Sequence, residues 1–347
     1  MQTTAVARSL LSAAANPTQL AVPDRELGES LHVLHDAYEQ SGSWDHALEA
    51  VLSHRPNPDG DPTPIAHTAG GAPGRLPHDW AQLILEAAVS RPAPTVMARY
   101  GRTIGNFDAS TFSGPDSREY AVKGGRAGGG QDRSDLFFEQ LAGHLGKAME
   151  APVADVCLAV VPSDVAGDVP ESHRHFPAVT HASRWVPNSV DEAALIWEGW
   201  SGRERDRMKC WDQGLQRIKE AENLPANRPR LARYYVMAGW LGVTDCQFVY
   251  DRDSKVATSV DHGATDPDCD IANLPAWSEY QSSIRYHGMQ SPELDNAVEL
   301  LSHVTDQQIA EGLAAAPFDW GMTLSQRVMM AQNLAFLRDH FSEVVQR

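Results

Sequence analysis

The chain has 347 residues and a formal net charge of −17, from 29 Lys and Arg against 46 Asp and Glu. That acidity argues against a nucleic-acid binder that works by neutralising phosphates, although a local basic patch could survive within it. No stretch approaches the roughly 18 apolar residues of a membrane span, and the opening MQTTAVARSLLSAAA is too short and too polar for a secretory signal, so a cytoplasmic protein without membrane contact is expected.

Four widely spaced cysteines, Cys157, Cys210, Cys246 and Cys269, contain no C-x-x-C and suggest neither a zinc site nor a disulfide framework. The length leaves room for two domains, or for one two-lobed domain with an appendage. Residues 1–24 show no sustained period and read as a mobile arm with at most one short helix. From Glu26 to Leu52 the apolar residues Leu27, Leu31, Leu34, Tyr38, Trp44, Leu48, Val51 and Leu52 recur at helical spacing, with Ser41-Gly42-Ser43 splitting a helical hairpin. Arg55 to Arg75 is a Pro-, Gly- and Asp-rich linker. A further helix from about His78 to Ser90 closes a helical extension spanning 25–92, which either packs on the rest of the chain or binds a partner or a second copy.

From Thr95 the pattern turns to period two. Val96–Tyr100 and Arg118–Lys123 are strand candidates, with a glycine-bounded turn from Gly101 to Gly105. The run from Gly124 to Gly130 fits a loop that closes over a ligand or a plain connector, and the connector is the reading taken. Ser134–Met149 is a helix with Leu136, Phe137, Leu141, Leu145 and Met149 on its buried side, and Val156–Val161 is a buried strand. His173, His175 and His181 stand close together, but no cysteines or carboxylates accompany them at zinc-ligand spacing. Helices are expected over Asp191–Gly199 and Arg207–Ala221 and from Arg228 to Leu241, ending at Gly242. The acids Asp266, Asp268 and Asp270 lack the pattern of a calcium loop.

The stretch from Tyr234 to Gly263 holds the chain's densest chemistry. Gln247–Tyr250 and Val256–Val260 read as two strands around the polar turn Asp251–Lys255, a hairpin with Asp245 before it and Asp261 after it. Hairpin geometry sets those two acids side by side. Paired carboxylates repel unless something cationic sits between them, and a hard divalent cation points to phosphate chemistry. Each aspartate also fits ordinary turn chemistry.

At these residues the chain resembles the HipA-like kinases and, more remotely, the phosphoinositide kinases. The resemblance extends to FFEQLAGHLGKAMEAPVADV, to His181–Trp185 and to the closing segment with Pro317-x-x-Trp320-Gly321. It implies an α+β, two-lobed protein-kinase-like fold, with a small lobe over 93–162 and a mostly helical lobe over 163–347, binding ATP and Mg2+ between them. Carried over, Asp245 is the catalytic base or the acid that positions the acceptor, Asp261 the principal metal ligand and Gln247 an amide ligand, with His262 where kinases often have Phe. Lys123 holds nucleotide phosphates and Glu139 orients it. Val161 leads into a hinge whose backbone contacts adenine. Asp245 is preceded by Val243-Thr244 rather than His-Arg, and the amide follows after two residues rather than five. The implied activity is transfer of the γ-phosphate to a hydroxyl of a protein, a peptide, a small molecule or the chain itself. A non-catalytic nucleotide- and partner-binding module is the alternative, and nucleotidyl transfer is a third reading.

Overall fold

The computed structural model describes residues 5–54, 75–104, 109–124, 134–198, 200, 202, 207–243, 247–262 and 291–345. Helix α1 (Ala5–Ala15) buries Ala7, Leu10 and Ala14 where the sequence reads as a mobile arm, because these small and apolar residues share one helical face. Helix α2 (Arg25–Ser41) starts at Asp24, whose Oδ1 accepts from Leu27 N at 3.1 Å, and stops at Gly42. With φ at 64° only a residue without a Cβ enters that turn cheaply. Helices α3 (Trp44–Ser53) and α4 (Pro77–Val89) complete the extension.

These four helices share one hydrophobic core with the end of the chain. Leu27, Leu31, Leu48, Trp80 and Ile84 pack in the same cluster as Ile309 and Leu313, from α11 (Asp306–Ala314), and Leu334 and Phe341, from α12 (Leu324–Val345). Each fully buried side chain of this size contributes roughly 1.5–3 kcal/mol. A buried ion pair fixes the junction: Arg91 Nη2 donates to Asp24 Oδ2 at 2.6 Å, and the same oxygen accepts from Phe318 N at 2.8 Å.

The central sheet comprises β1 (Thr95–Val96), β2 (Arg99–Ile104), β3 (Ala109–Ser113), β4 (Glu119–Lys123), β5 (Val156–Val160) and β6 (Thr180–Arg184), in the order β1-β5-β6-β4-β3-β2. All neighbours are antiparallel except β1 and β5. Strand alternation divides its residues between two cores. Leu158 points into the large cluster with α5 (Ser134–Ala148), while Ala159 joins Met97, Phe112, Val122 and Ala182 in a smaller one. The sheet continues past residue 162 to Arg184, and residues 185–188 lead from it to a second sheet. That sheet is formed by β7 (Ser189–Asp191), β8 (Gln247–Asp251) and β9 (Ala257–Val260), in the order β7-β8-β9.

Short α6 (Ser163–Ala166) and α7 (Glu192–Ile196), then α8 (Arg207–Glu222), α9 (Arg228–Leu241) and α10 (Ser291–Ser302), complete the α+β architecture. Among the described residues, no helix is long and apolar enough to cross a membrane.

Candidate active site

Three elements converge on one ammonium group. Lys123 closes β4, its carbonyl accepting a hydrogen bond from Thr180 Oγ1 of β6. Helix α5 lies against β5 because Gly143 has no side chain; a Cβ there would come within 3.0 Å of Val156 Cβ. This close approach brings Glu139, on the second turn of α5, to the lysine. The hairpin β8–β9 is tied in by the loop ahead of β5: Val153 bridges Ser259 in parallel, and Ala154 N donates to Ser259 O at 3.1 Å. Immediately after β9 the backbone of Asp261 takes a left-handed conformation, φ 63°, uncommon outside glycine but least costly for Asp and Asn.

Lys123 Nζ donates to Glu139 Oε1 and, at 2.7 Å, to Asp261 Oδ1. Glu139 is 2% exposed, whereas the Asp261 side chain is 42% exposed and reaches solvent. Burial alone would drive the proton off Lys123, but the carboxylates of Glu139 and Asp261 outweigh it and hold the ammonium above its ordinary range. Burial likewise opposes ionisation of Glu139; Lys123 overcomes it, helped by His262, and holds this carboxyl well below its usual value. Asp261 moves the other way. Desolvation and the charge of Glu139 raise it despite Lys123, as expected when two carboxylates share one cation.

The second oxygen of Glu139 faces two buried imidazoles. His181 Nε2 lies 3.9 Å from Oε2 and His262 Nδ1 lies 3.7 Å from it. The His181 tautomer follows from donor counting: Gln140 Nε2 donates to Cys157 O at 2.8 Å and lies 3.1 Å from His181 Nδ1, which therefore accepts, leaving the ring proton on Nε2 toward Glu139. Burial pushes His181 down to about 4 from 6.5, even against the pull of Glu139. The folded chain thus keeps this ring neutral while the unfolded chain protonates it. Stability from this group is complete above pH 6.5 and is lost as the pH falls from there toward 4. His181→Gln should therefore remove roughly 2 kcal/mol of the destabilisation seen between pH 7 and pH 5. Urea unfolding of both chains at the two pH values measures it, and identical pH slopes would exclude the assignment.

Lys123, Glu139 and Asp261 thus meet at one point. Gln247 opens β8, pairs with Val260 and carries an exposed side chain at the hairpin end where Asp261 stands. Asp245 lies outside the described residues, and so do Gly263 and most of the run from Gly124 to Gly130. Val161 follows β5 and packs, partly buried, against the smaller core. It does not stand on the connection between the sheets, which leaves from β6 and runs over 185–188, because β6 is inserted between β5 and β4. Sequence reasoning placed His181–Trp185 beside the nucleotide pocket and marked His262 next to Asp261, both by resemblance, but missed that His181, His262 and Gln140 surround Glu139. Among the described residues no group of three His, Cys, Asp or Glu side chains is placed to hold a metal ion.

Neither a protein-family model nor a curated protein matches the sequence. Among solved structures, the chain is similar to the Golgi casein kinase with Mn and ADP bound, at 10% identity and a TM-score of 0.41, over 72% of this chain and 73% of that one. It is also similar to the Helicobacter pylori proinflammatory kinase CtkA, at 12% identity and a TM-score of 0.33, over 72% of this chain and 95% of that one. A further Golgi casein kinase structure matches at 10% identity and a TM-score of 0.34, over 73% and 74% of the two chains. Overlaps this shallow leave the reading to the side chains.

Proposed function

We propose that the chain is an ATP- and Mg2+-dependent phosphotransferase of the HipA-like kind, with a protein-kinase-like fold, moving the γ-phosphoryl group of ATP to a hydroxyl acceptor. The observation that supports this reading best is the ammonium of Lys123 held between Glu139 and Asp261, residues 16 and 138 positions away in the sequence. A structural ion pair needs one carboxylate; this lysine has a buried one that fixes it and a half-exposed one that faces outward.

The donor set suits Mg2+. A magnesium ion commonly takes one or two carboxylates together with phosphate oxygens and water, and Asp261 offers a hard, solvent-reachable carboxylate one residue past Val260, the register partner of the exposed residue Gln247. When bound, the ion neutralises charge on the phosphates. Lys123 contributes a second positive charge to the same oxygens, and Glu139 keeps it extended toward them. In the transfer the acceptor oxygen bonds to the γ-phosphorus, the bond to the bridging oxygen of ADP breaks, and the acceptor proton passes to a base. Asp245 is assigned that role on the family resemblance.

The test is incubation of the purified chain with Mg2+ and γ-labelled ATP, alone and with cell extract. Label is expected on a hydroxyl of the chain itself, of a protein or of a small molecule. Binding of ATP without transfer would make it a nucleotide-binding module, and incorporation from α-labelled ATP would make it a nucleotidyltransferase.

A further inference from the structure

The two oxygens of Glu139 face different groups. Oε1 takes Lys123, whereas Oε2 faces the imidazoles of His181 and His262. His262 is 2% exposed, and its ring nitrogens look in opposite directions: Nδ1 to Glu139 at 3.7 Å, Nε2 to Ser259 Oγ at 3.0 Å. Ser259 is itself fully buried on β9, with its hydroxyl 3.2 Å from the carbonyl of Gln247 on β8. The ring of Tyr234 lies 6.2 Å away and closes one side. One side chain therefore joins the helix that carries Glu139 to strand β9 of the hairpin that carries Asp261.

We propose that His262 is a positioning residue that holds Glu139 in place while Lys123 engages a nucleotide phosphate, an inference that rests on the phosphotransferase reading. Lys123 divides one ammonium between two carboxylates, and an arriving phosphate competes for it. As the lysine leans toward the phosphate, Glu139 loses part of the interaction that holds it, and a buried carboxylate with weakened partners reorients. A donor fixed on Oε2 prevents this and keeps Oε1 available to aim the lysine. His181, fixed by Gln140, reaches the same oxygen from the sheet side at the longer distance. Proton counting links the hairpin to the helix. The single Ser259 hydroxyl proton has two acceptors within reach, Gln247 O at 3.2 Å and His262 Nε2 at 3.0 Å, and turning it from the carbonyl onto Nε2 leaves the Nδ1–H of the ring toward Glu139.

The test compares His262→Phe, which keeps an aromatic ring of similar volume but no nitrogen, with His262→Asn, whose amide nitrogen occupies the place of Nδ1. For each, ATP affinity is measured by calorimetry in EDTA, which reads the lysine–phosphate contact without the metal, together with KM for ATP, kcat and thermal stability. His262→Phe is expected to weaken ATP binding and raise KM about tenfold, the size of one charge-assisted hydrogen bond, while melting near wild type. His262→Asn is expected to recover most of the affinity despite leaving a gap and melting lower. A packing role predicts the reverse, with affinity following stability and Phe better than Asn. That ranking, or wild-type affinity in His262→Phe, overturns the proposal. If the wild-type chain binds no ATP, the phosphotransferase reading fails first and this inference falls with it.

Discussion

Asp261→Asn is expected to lower phosphoryl transfer by about a thousandfold or more while the protein stays folded, since removing a single preorganised electrostatic contact typically costs a hundred- to a thousandfold and this one also anchors the cation. Asparagine is the informative replacement. It tolerates the left-handed backbone at this position, φ 63°, which alanine would occupy only under strain. It also removes the charge that makes two carboxylates compete for Lys123, so the remaining Lys123–Glu139 pair is balanced and the fold loses little. Initial rates of label transfer, alongside a thermal melt, check both halves. Turnover within tenfold of wild type would remove Asp261 from the mechanism.

The largest effect on stability is expected at Arg327. Its side chain is fully buried, with Nε donating to Met322 O at 2.8 Å, Nη1 to Leu313 O at 2.6 Å and Ala316 O at 2.7 Å, and Nη2 to Pro317 O at 2.8 Å. The guanidinium also lies 4.0 Å from the Phe318 ring centroid and 5.0 Å from that of Phe137. Burial pushes Arg327 down to about 9, which leaves it charged at neutral pH. The carbonyls it collects surround the end of α11, where helix carbonyls lack partners and the helix dipole favours a cation. Arg327→Leu leaves the buried carbonyls of Met322, Leu313 and Ala316 without their donor, while Pro317 O keeps Trp320 N at 3.2 Å, so at about 1 kcal/mol or more for each orphaned group a loss of at least about 3 kcal/mol is expected in urea unfolding. That is a large part of a typical domain's stability. Arg327→Lys should fall between, because a single ammonium cannot reproduce the planar fork. An unfolding midpoint near wild type in Arg327→Leu would mean that water reaches these carbonyls.

The parts that the sequence made readable are those with local signals. Gly42 ends α2, Gly242 ends α9, and Asp251 organises the β8–β9 turn by accepting from Asp253 N, Ser254 N and Ser254 Oγ. Lys123 at a strand end and Glu139 on the next helix follow from the order of elements. Strand β3, Ala-Ser-Thr-Phe-Ser, was illegible because small polar residues carry no alternating pattern even though Ser110, Thr111 and Phe112 are buried. Strand β6 lies among histidines and prolines that mask it, and its insertion between β5 and β4 moves the inter-sheet connection from Val161 to 185–188. Nothing in the sequence of His181 or His262 shows which carboxylate they face. Their role depends on a carboxylate brought to them from 42 and 123 positions away.

The bond from Phe318 N to Asp24 Oδ2 spans 294 positions of chain. During synthesis the first four helices leave the ribosome long before the segment that covers them, and their oily faces must wait until the residues through Phe341 have emerged. The main core therefore closes only once residues near both ends of this 294-position span are available, a long-range closure that slows folding relative to local contacts.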